Sequence, residues 1–295
     1  MWQPAWELIA ATLLVAATID VGGAAGDLRD KVLAVVSAHP EATVAVVVDD
    51  PTGGHSLELT ADRPFHAAST MKIPVMIEIF RLAEAGDLSL DDTLLVENRF
   101  RSIVDGSLYS IEDDSNDAIY ERLGSRMPIR DLVVQMITVS SNLATNLLID
   151  LVSAESVQET CARLGAPGLR VLRGVEDLKA FEQGLSNETT ARALATLLRH
   201  LADGTAVSRE ADDEMIAILG AQLFNEMIPA GLPPGTAVAH KTGQITRIHH
   251  DAAIVEPPGG APYVLVVLIE GLDDEVRSAA LGAEIARLVH AAIRP

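Results

Sequence analysis

Strand character is confined to two places near opposite ends of this chain, and that separation limits the fold more than any other feature. TVAVVVDD (43–50) and HSLELTAD (55–62) read as two short strands, and the PTGG between them is hairpin chemistry. TAVAHKTG (236–243), HDAAIVE (250–256) and PYVLVVLIEG (262–271) form the second group, with PPGG separating the last two. The stretch between, about 112–225, reads as mostly helical. It includes helices over about 129–138 and 142–152, and a third around SVQETCARLG (156–165). SNETTARALATLLRHLADG starts on cap residues and stops at Gly204, and SREADDEMIAILGAQ has a capping-type start. DLRDKVLAVVSA (27–38) predicts an amphipathic helix before the first strands, and a final helix is expected from about Glu275 to Ile293. The simplest packing joins all five strands in one antiparallel sheet with the two terminal helices on one face. The expected class is therefore α+β, an α/β sandwich with a five-stranded antiparallel sheet plus an all-helical lobe. The α/β part takes about 27–65 and 230–295, and the helical lobe about 66–229. Residues 166–187 lack clean periodicity and read as a long ordered loop, a kind of segment that often carries function.

Composition enters as exclusion. At 295 residues and 48% hydrophobic content the chain can bury a sizeable core. A net charge of −20 argues against nucleic acid and anionic membrane surfaces, which attract Lys/Arg patches, and favours a self-repelling monomer. Cys161 is the single cysteine, so no intrachain disulfide and no Cys-rich zinc site can form. Residues 1–26 differ from the rest. WELIAATLLVAATIDVGGAAG has an apolar run followed by small residues, the pattern of an export signal cleaved near GGAAG, despite the intruding Glu7 and Asp20. The run is too short and interrupted for a membrane span. The mature protein, about 27–295, is expected to be exported, periplasmic or secreted, with no stable membrane insertion. It would contain no tryptophan, because Trp2 and Trp6 both lie in the leader.

Lysine is scarce, at four (31, 72, 179 and 241) against eighteen arginines. A lysine amine can lose its proton in a buried site, whereas a guanidinium effectively cannot. Lys72 sits in the apolar run HAASTMKIPVMIEIF, three residues after Ser69. On a helix those side chains are neighbours, about 5–6 Å apart at Cβ. A desolvated Lys72 would have a lowered pKa and could take the serine proton. VSSNLATNLL (139–148) places Ser140, Ser141 and Asn142 between two helices, where they can cap or face a substrate. HKTGQ (240–244) offers an ammonium, a hydroxyl and free backbone at a strand edge, with a glycine allowing close approach. His240, His249 and His250 cluster near Asp251. Adjacent strand residues face opposite sides, so no metal and no other cofactor is expected. The absence of a G-x-S-x-G elbow argues against a Ser-His-Asp triad.

Ser-x-x-Lys, Ser-x-Asn and Lys-Thr-Gly, in that order, resemble the active-site set of class A β-lactamases and penicillin-binding proteins. The resemblance spans about 27–295. It implies a β-lactamase/transpeptidase-like fold and a serine hydrolase that opens a β-lactam through an acyl-serine. A D,D-peptidase or esterase of the same fold, or a non-hydrolytic penicillin-binding sensor, is the alternative. The expected partner is a small molecule, a β-lactam or an acyl-D-Ala-D-Ala-like peptide. On matching positions Ser69 would be the nucleophile, Lys72 its proton partner and Ser140 the shuttle to the leaving nitrogen. Asn142 would hold the substrate amide. Lys241 and Thr242 would bind its carboxylate, and Gly243 would admit it. The amides of Ser69 and Gln244 would form the oxyanion hole, each such donor being worth about 3–4 kcal/mol. Glu176 stands at the spacing from Ser140 where class A enzymes carry the deacylating base, with Asp177 and Glu182 as competitors. The chain departs from the pattern at Ser141, where the family carries Asp, and at Ala180, where it carries a water-positioning Asn. Arg173 with Asn187 or Glu188 stands in for the loop-closing pair, and Arg247 could assist Lys241.

Overall fold

The computed structural model describes residues 21–294. Residues 1–20, most of the expected export segment, lie outside the described residues, and the expected boundary at 26 falls within the first helix. That helix, α1 (Val21–Ser37), leads into the hairpin β1 (Thr43–Asp50) and β2 (His55–Leu59). β3 (Ala237–Ile245), β4 (Ile248–Glu256) and β5 (Tyr263–Glu270) come from the far end of the chain. The order across the antiparallel sheet is β2-β1-β5-β4-β3, so β1 pairs with β5 across most of the sequence. HSLELTAD stops pairing at Leu59 because Thr60 turns left-handed, with φ 47°.

Both faces of the sheet are covered, which is why its central strands read as apolar runs. Val44, Val46, Val48, Leu265, Val267 and Ile269 face α1 and the last helix, α9 (Glu275–Ile293). Ala45, Val47, Ala252, Val264, Val266 and Leu268 face the helical layer. That layer holds α2 (Lys72–Ala85), α3 (Ile129–Thr138), α4 (Asn142–Val152), α5 (Ala154–Arg163), α7 (Ala191–Asp203) and α8 (Arg209–Gly220). A short helix, α6 (Leu178–Glu182), lies inside the long loop of 166–187. Caps set the ends where the sequence marks them. Thr190 and Ser208 accept amides of their own first turns, and Gly86 and Gly204 close α2 and α7 with positive φ.

Residues 112–128 depart from the helical expectation. They hold a 3-10 turn (Asp117–Arg122) and a short strand (Arg126–Pro128) that pairs with Thr93–Leu95. The run EDDSN at 112–116 has no apolar face to bury, and its carboxylates and amides bond to other loops instead.

Candidate active site

Ser69 lies in a 3-10 turn, Ala68–Met71, that runs directly into α2. The turn packs against the outer edge of β3, so closely that a Cβ on Gly243 would sit 3.0 Å from the Ser69 amide. This contact is why glycine occupies the third position of Lys-Thr-Gly. The amides at the start of a helix lack intrahelical acceptors, which leaves the Ser69 N–H available. Ala68, just before the serine, is left-handed at φ 45°. Ser140, Glu176 and Arg247 are the other left-handed non-glycine residues around this site, at φ 57°, 60° and 62°. Such conformations cost about 1–3 kcal/mol each and persist where surrounding bonds over-determine them.

The Lys72 ammonium is fully buried. It donates to the Ser140 carbonyl at 2.6 Å, Ser140 Oγ at 3.1 Å and Asn142 Oδ1 at 3.0 Å. Burial lowers its pKa to about 7, against the pull of Asp114 and Glu176, which favour the charged form. Ser-x-x-Lys and Ser-x-Asn therefore meet at one nitrogen. Lys241 is also fully buried. It donates to Gln222 Oε1 at 2.9 Å and the Thr242 carbonyl at 3.0 Å. Burial, then repulsion from Lys72, lowers its pKa well below the ordinary value, while Asp251 opposes the shift.

Of the three loop carboxylates, Glu176 reaches the site. Its Oε1 accepts from Asn142 Nδ2 at 2.9 Å, and its Oε2 from the amides of Glu112 and Asp113 at 2.9 and 3.3 Å. Asp177 is buried as the cap of α6 and accepts from Ser102 Oγ, the Ile103 amide and the Ala180 amide. Glu182 is exposed at the far end of α6. Ala180 is buried and brings no polar group to the site.

The loop closes without a carboxylate on Arg173. Its guanidinium donates to the carbonyls of Leu185 and Gly174, and Asn187 clasps the Leu172 and Arg173 backbone. Glu188 pairs separately with Arg170 at 3.5 Å. Arg247 donates to the Gly271 carbonyl and lies 3.4 Å from Asp273, so its guanidinium is turned toward the loop before α9. The clustered histidines are only partly satisfied, since His240 Nε2 and His249 Nδ1 are buried without a hydrogen-bond partner. His240 Nδ1 lies 2.9 Å from Asp251, and His250 Nε2 donates to the His66 carbonyl.

Two residues of the site went unmarked in the sequence. Gln222 is buried, and its Oε1 takes three donors, Lys241 Nζ, the Thr242 amide and Thr242 Oγ1, at 2.9–3.0 Å. Asp114 accepts the Asn142 and Leu143 amides at 2.9 and 2.8 Å, at the start of α4. Asp114 sits in a loop and Gln222 just past the end of α8, and each acts on residues well removed in sequence.

Ser69 lies where two clefts meet. One, of about 350 Å³, is lined by apolar groups of the long loop, Val175, Leu178 and Phe181, with His66 and Ala68. The other, of about 420 Å³, is lined by Asp113, Asp114, Ser115, Ser140 and Thr242. Asn142, Gln244, Ile245 and Thr246 border both. A hydroxyl on a helix start, an amine that can be neutral, and an edge strand alongside define a serine hydrolase of the acyl-transfer kind.

The comparisons with known proteins agree. The sequence model of the beta-lactamase enzyme family matches residues 27–293, and the chain belongs to that family. It is 30% identical to a beta-lactamase of Rhodobacter capsulatus over 251 residues, 82% of this chain and 80% of the relative. Among solved structures, PBP-A superposes with a TM-score of 0.80 at 27% identity, covering 90% of this chain and 95% of PBP-A. An ancestral class A beta-lactamase superposes with a TM-score of 0.78 at 25% identity, covering 90% and 99%.

Proposed function

We propose that this protein is a serine β-lactamase in which Ser69 is acylated and Glu176 directs the water that frees it. The observation that carries the reading is the buried Lys72 amine, joined to Ser140 Oγ and Asn142 Oδ1 and one helical turn from Ser69. Lys72, neutral, takes the Ser69 proton as Oγ attacks the lactam carbonyl carbon. The resulting oxyanion is held by the Ser69 and Gln244 amides. The lactam C–N bond then breaks, and Ser140 passes a proton from Lys72 to the departing nitrogen. Lys241, Thr242 and Gly243 receive the substrate carboxylate and Asn142 its side-chain amide. In the second half, Glu176 takes a proton from water, the hydroxide adds to the ester carbonyl, and Ser69 leaves with that proton returned to it. The mature chain, about 27–295, would act as an exported monomer.

One observation favours a slower second half. Both Glu176 oxygens already accept protein donors, and the buried Ala180 methyl offers a water nothing to bond. An acylating but poorly hydrolysing enzyme, or a D,D-peptidase or esterase on the same site, is the second reading. Nitrocefin hydrolysis over many turnovers, with Ser69→Ala alongside, tests both. Sustained hydrolysis that is lost in the variant supports the β-lactamase. A single stoichiometric burst moves the protein to the penicillin-binding reading, and no reaction at all moves it to peptides or esters.

A further inference from the structure

Ser141 occupies the position where the family's middle motif carries an aspartate, yet a carboxylate bonds this turn. Asp114 supplies it from a loop 27 residues before Ser141. Its Oδ1 accepts the Asn142 amide at 2.9 Å and the Asn116 amide at 3.3 Å. Its Oδ2 accepts the Leu143 amide at 2.8 Å, Tyr120 Oη at 3.1 Å and Ser141 Oγ at 3.2 Å. Three of these donors belong to the consecutive residues 141–143, directly after the left-handed Ser140.

We propose that Asp114 is a positioning residue for catalysis: it holds the 140–143 turn so that Ser140 and Asn142 both face Lys72. The physical case has three parts. First, a left-handed serine is strained and needs external bonds to hold it, and the carboxylate supplies them on the C-terminal side of the turn. Second, the amides of Asn142 and Leu143 open α4, where the helix dipole favours a negative group, and charge-assisted bonds of this type are about twice as strong as neutral ones. The ordinary cap is already present, since Ser141 Oγ accepts the Ala144 amide at 3.2 Å. Asp114 is thus an addition to capping and fixes the two residues that the cap leaves unbonded. Third, Asn142 carries the consequence into the site, because its Oδ1 accepts from Lys72 while its Nδ2 donates to Glu176. Asp114 therefore acts on both halves of the reaction through one side chain.

The inference rests on the reading of Ser69 as the acylated nucleophile, and the test separates the two. Acylation by nitrocefin is followed as a single turnover between pH 5 and 9 in the native protein, Asp114→Asn, and Asp114→Asn/Ser141→Asp. Mass spectrometry counts the acyl group, and thermal melting reports the fold. Asparagine keeps the shape but loses the charge and two-sided acceptance, so acylation should slow about 10- to 100-fold. The charged groups around Lys72 are Asp114, Glu176 and Lys241. Losing the first favours the neutral amine, so the acid limb should move to lower pH. Because that midpoint does not depend on the amount of active protein, it is readable even if part of the sample unfolds. The double variant returns a carboxylate to the motif position and should recover most of the rate. Native-like rate and midpoint in Asp114→Asn overturn the proposal. So does a variant that loses its fold entirely, or a slowed one whose midpoint stays put, since either makes Asp114 merely structural. If the native protein itself fails to acylate, the reading of Ser69 fails first.

Discussion

Lys72 explains why a chain that otherwise prefers arginine keeps a lysine here. Three neutral acceptors surround the ammonium, so no opposite charge in direct contact offsets its lost hydration. With its pKa brought down to about 7, the residue is charged below that pH and can accept a proton above it. Acylation should therefore fall about tenfold for each pH unit below 7 and level off above it. Lys72→Arg fixes the charge and should lower the acylation rate by about 10²–10⁴-fold at every pH, the usual worth of a general base. Stopped-flow acylation at pH 5–9 reads both effects. A flat profile, or an active arginine variant, would place the base elsewhere. Lys241, equally buried, donates to Gln222 and the Thr242 carbonyl beside β3, whereas Lys72 bonds Ser140 and Asn142.

At the scale of elements, the site is a seam between the start of α2, the turn before α4 and the outer edge of β3. The seam tolerates little extra volume. A methyl on Gly243 would meet the Ser69 amide at 3.0 Å and the Thr70 amide and Cγ2 at 3.1 Å. Backbone on both sides must then separate by a few tenths of an ångström, which moves the Ser69 amide, the proposed oxyanion donor, from its aim. Gly243→Ala should cost up to about 100-fold in kcat/KM, the scale of a small misplacement near reacting atoms. Melting should change little, because the strain falls at a sheet edge. Unaltered kcat/KM would mean that the strand yields freely. The seam also shows what could be read in the sequence. The Ser-x-x-Lys, Ser-x-Asn and Lys-Thr-Gly residues were legible because each group is contiguous and sits at an element boundary marked by caps or turns. The central strands were legible because burial on both faces leaves them apolar, and β2 because it alternates beside a hairpin turn. Asp114 and Gln222 were not, since each works by bonding across 19 to 29 residues, and no local pattern announces such a partner. The short ladders, Phe65–His66 with Glu188–Thr189 among them, escaped because two residues carry no pattern.

For the whole molecule the decisive number is the charge. Forty-two Asp and Glu face twenty-two lysines and arginines, so twenty negative charges remain uncompensated, even where Arg192 and Arg199 each pair two carboxylates. The pairs that do form lie largely in water, as with Arg63–Glu270, Arg277–Glu41 and Arg287–Glu284. Exposed pairs of this type are worth about 0–1 kcal/mol and weaken as salt is added. Self-repulsion among the surplus also weakens with salt, and it acts against the compact state. The two trends oppose each other. The surplus should win, because it sums over many long-range repulsions, whereas each exposed pair is individually weak. The Debye length shrinks from about 30 Å at 0.01 M to about 8 Å at 0.15 M, cutting long-range repulsion while leaving direct contacts partly intact. A gain of about 1 kcal/mol would raise Tm by about 2–4 °C in a chain of this size class. Calorimetry at pH 7 across that range of sodium chloride measures it, with scan rate varied because β1 must find β5 across most of the sequence, and refolding of such long-range pairings is slow. A Tm that falls with salt would mean that the visible ion pairs outweigh the surplus, and that the acidic surface is arranged for attraction after all.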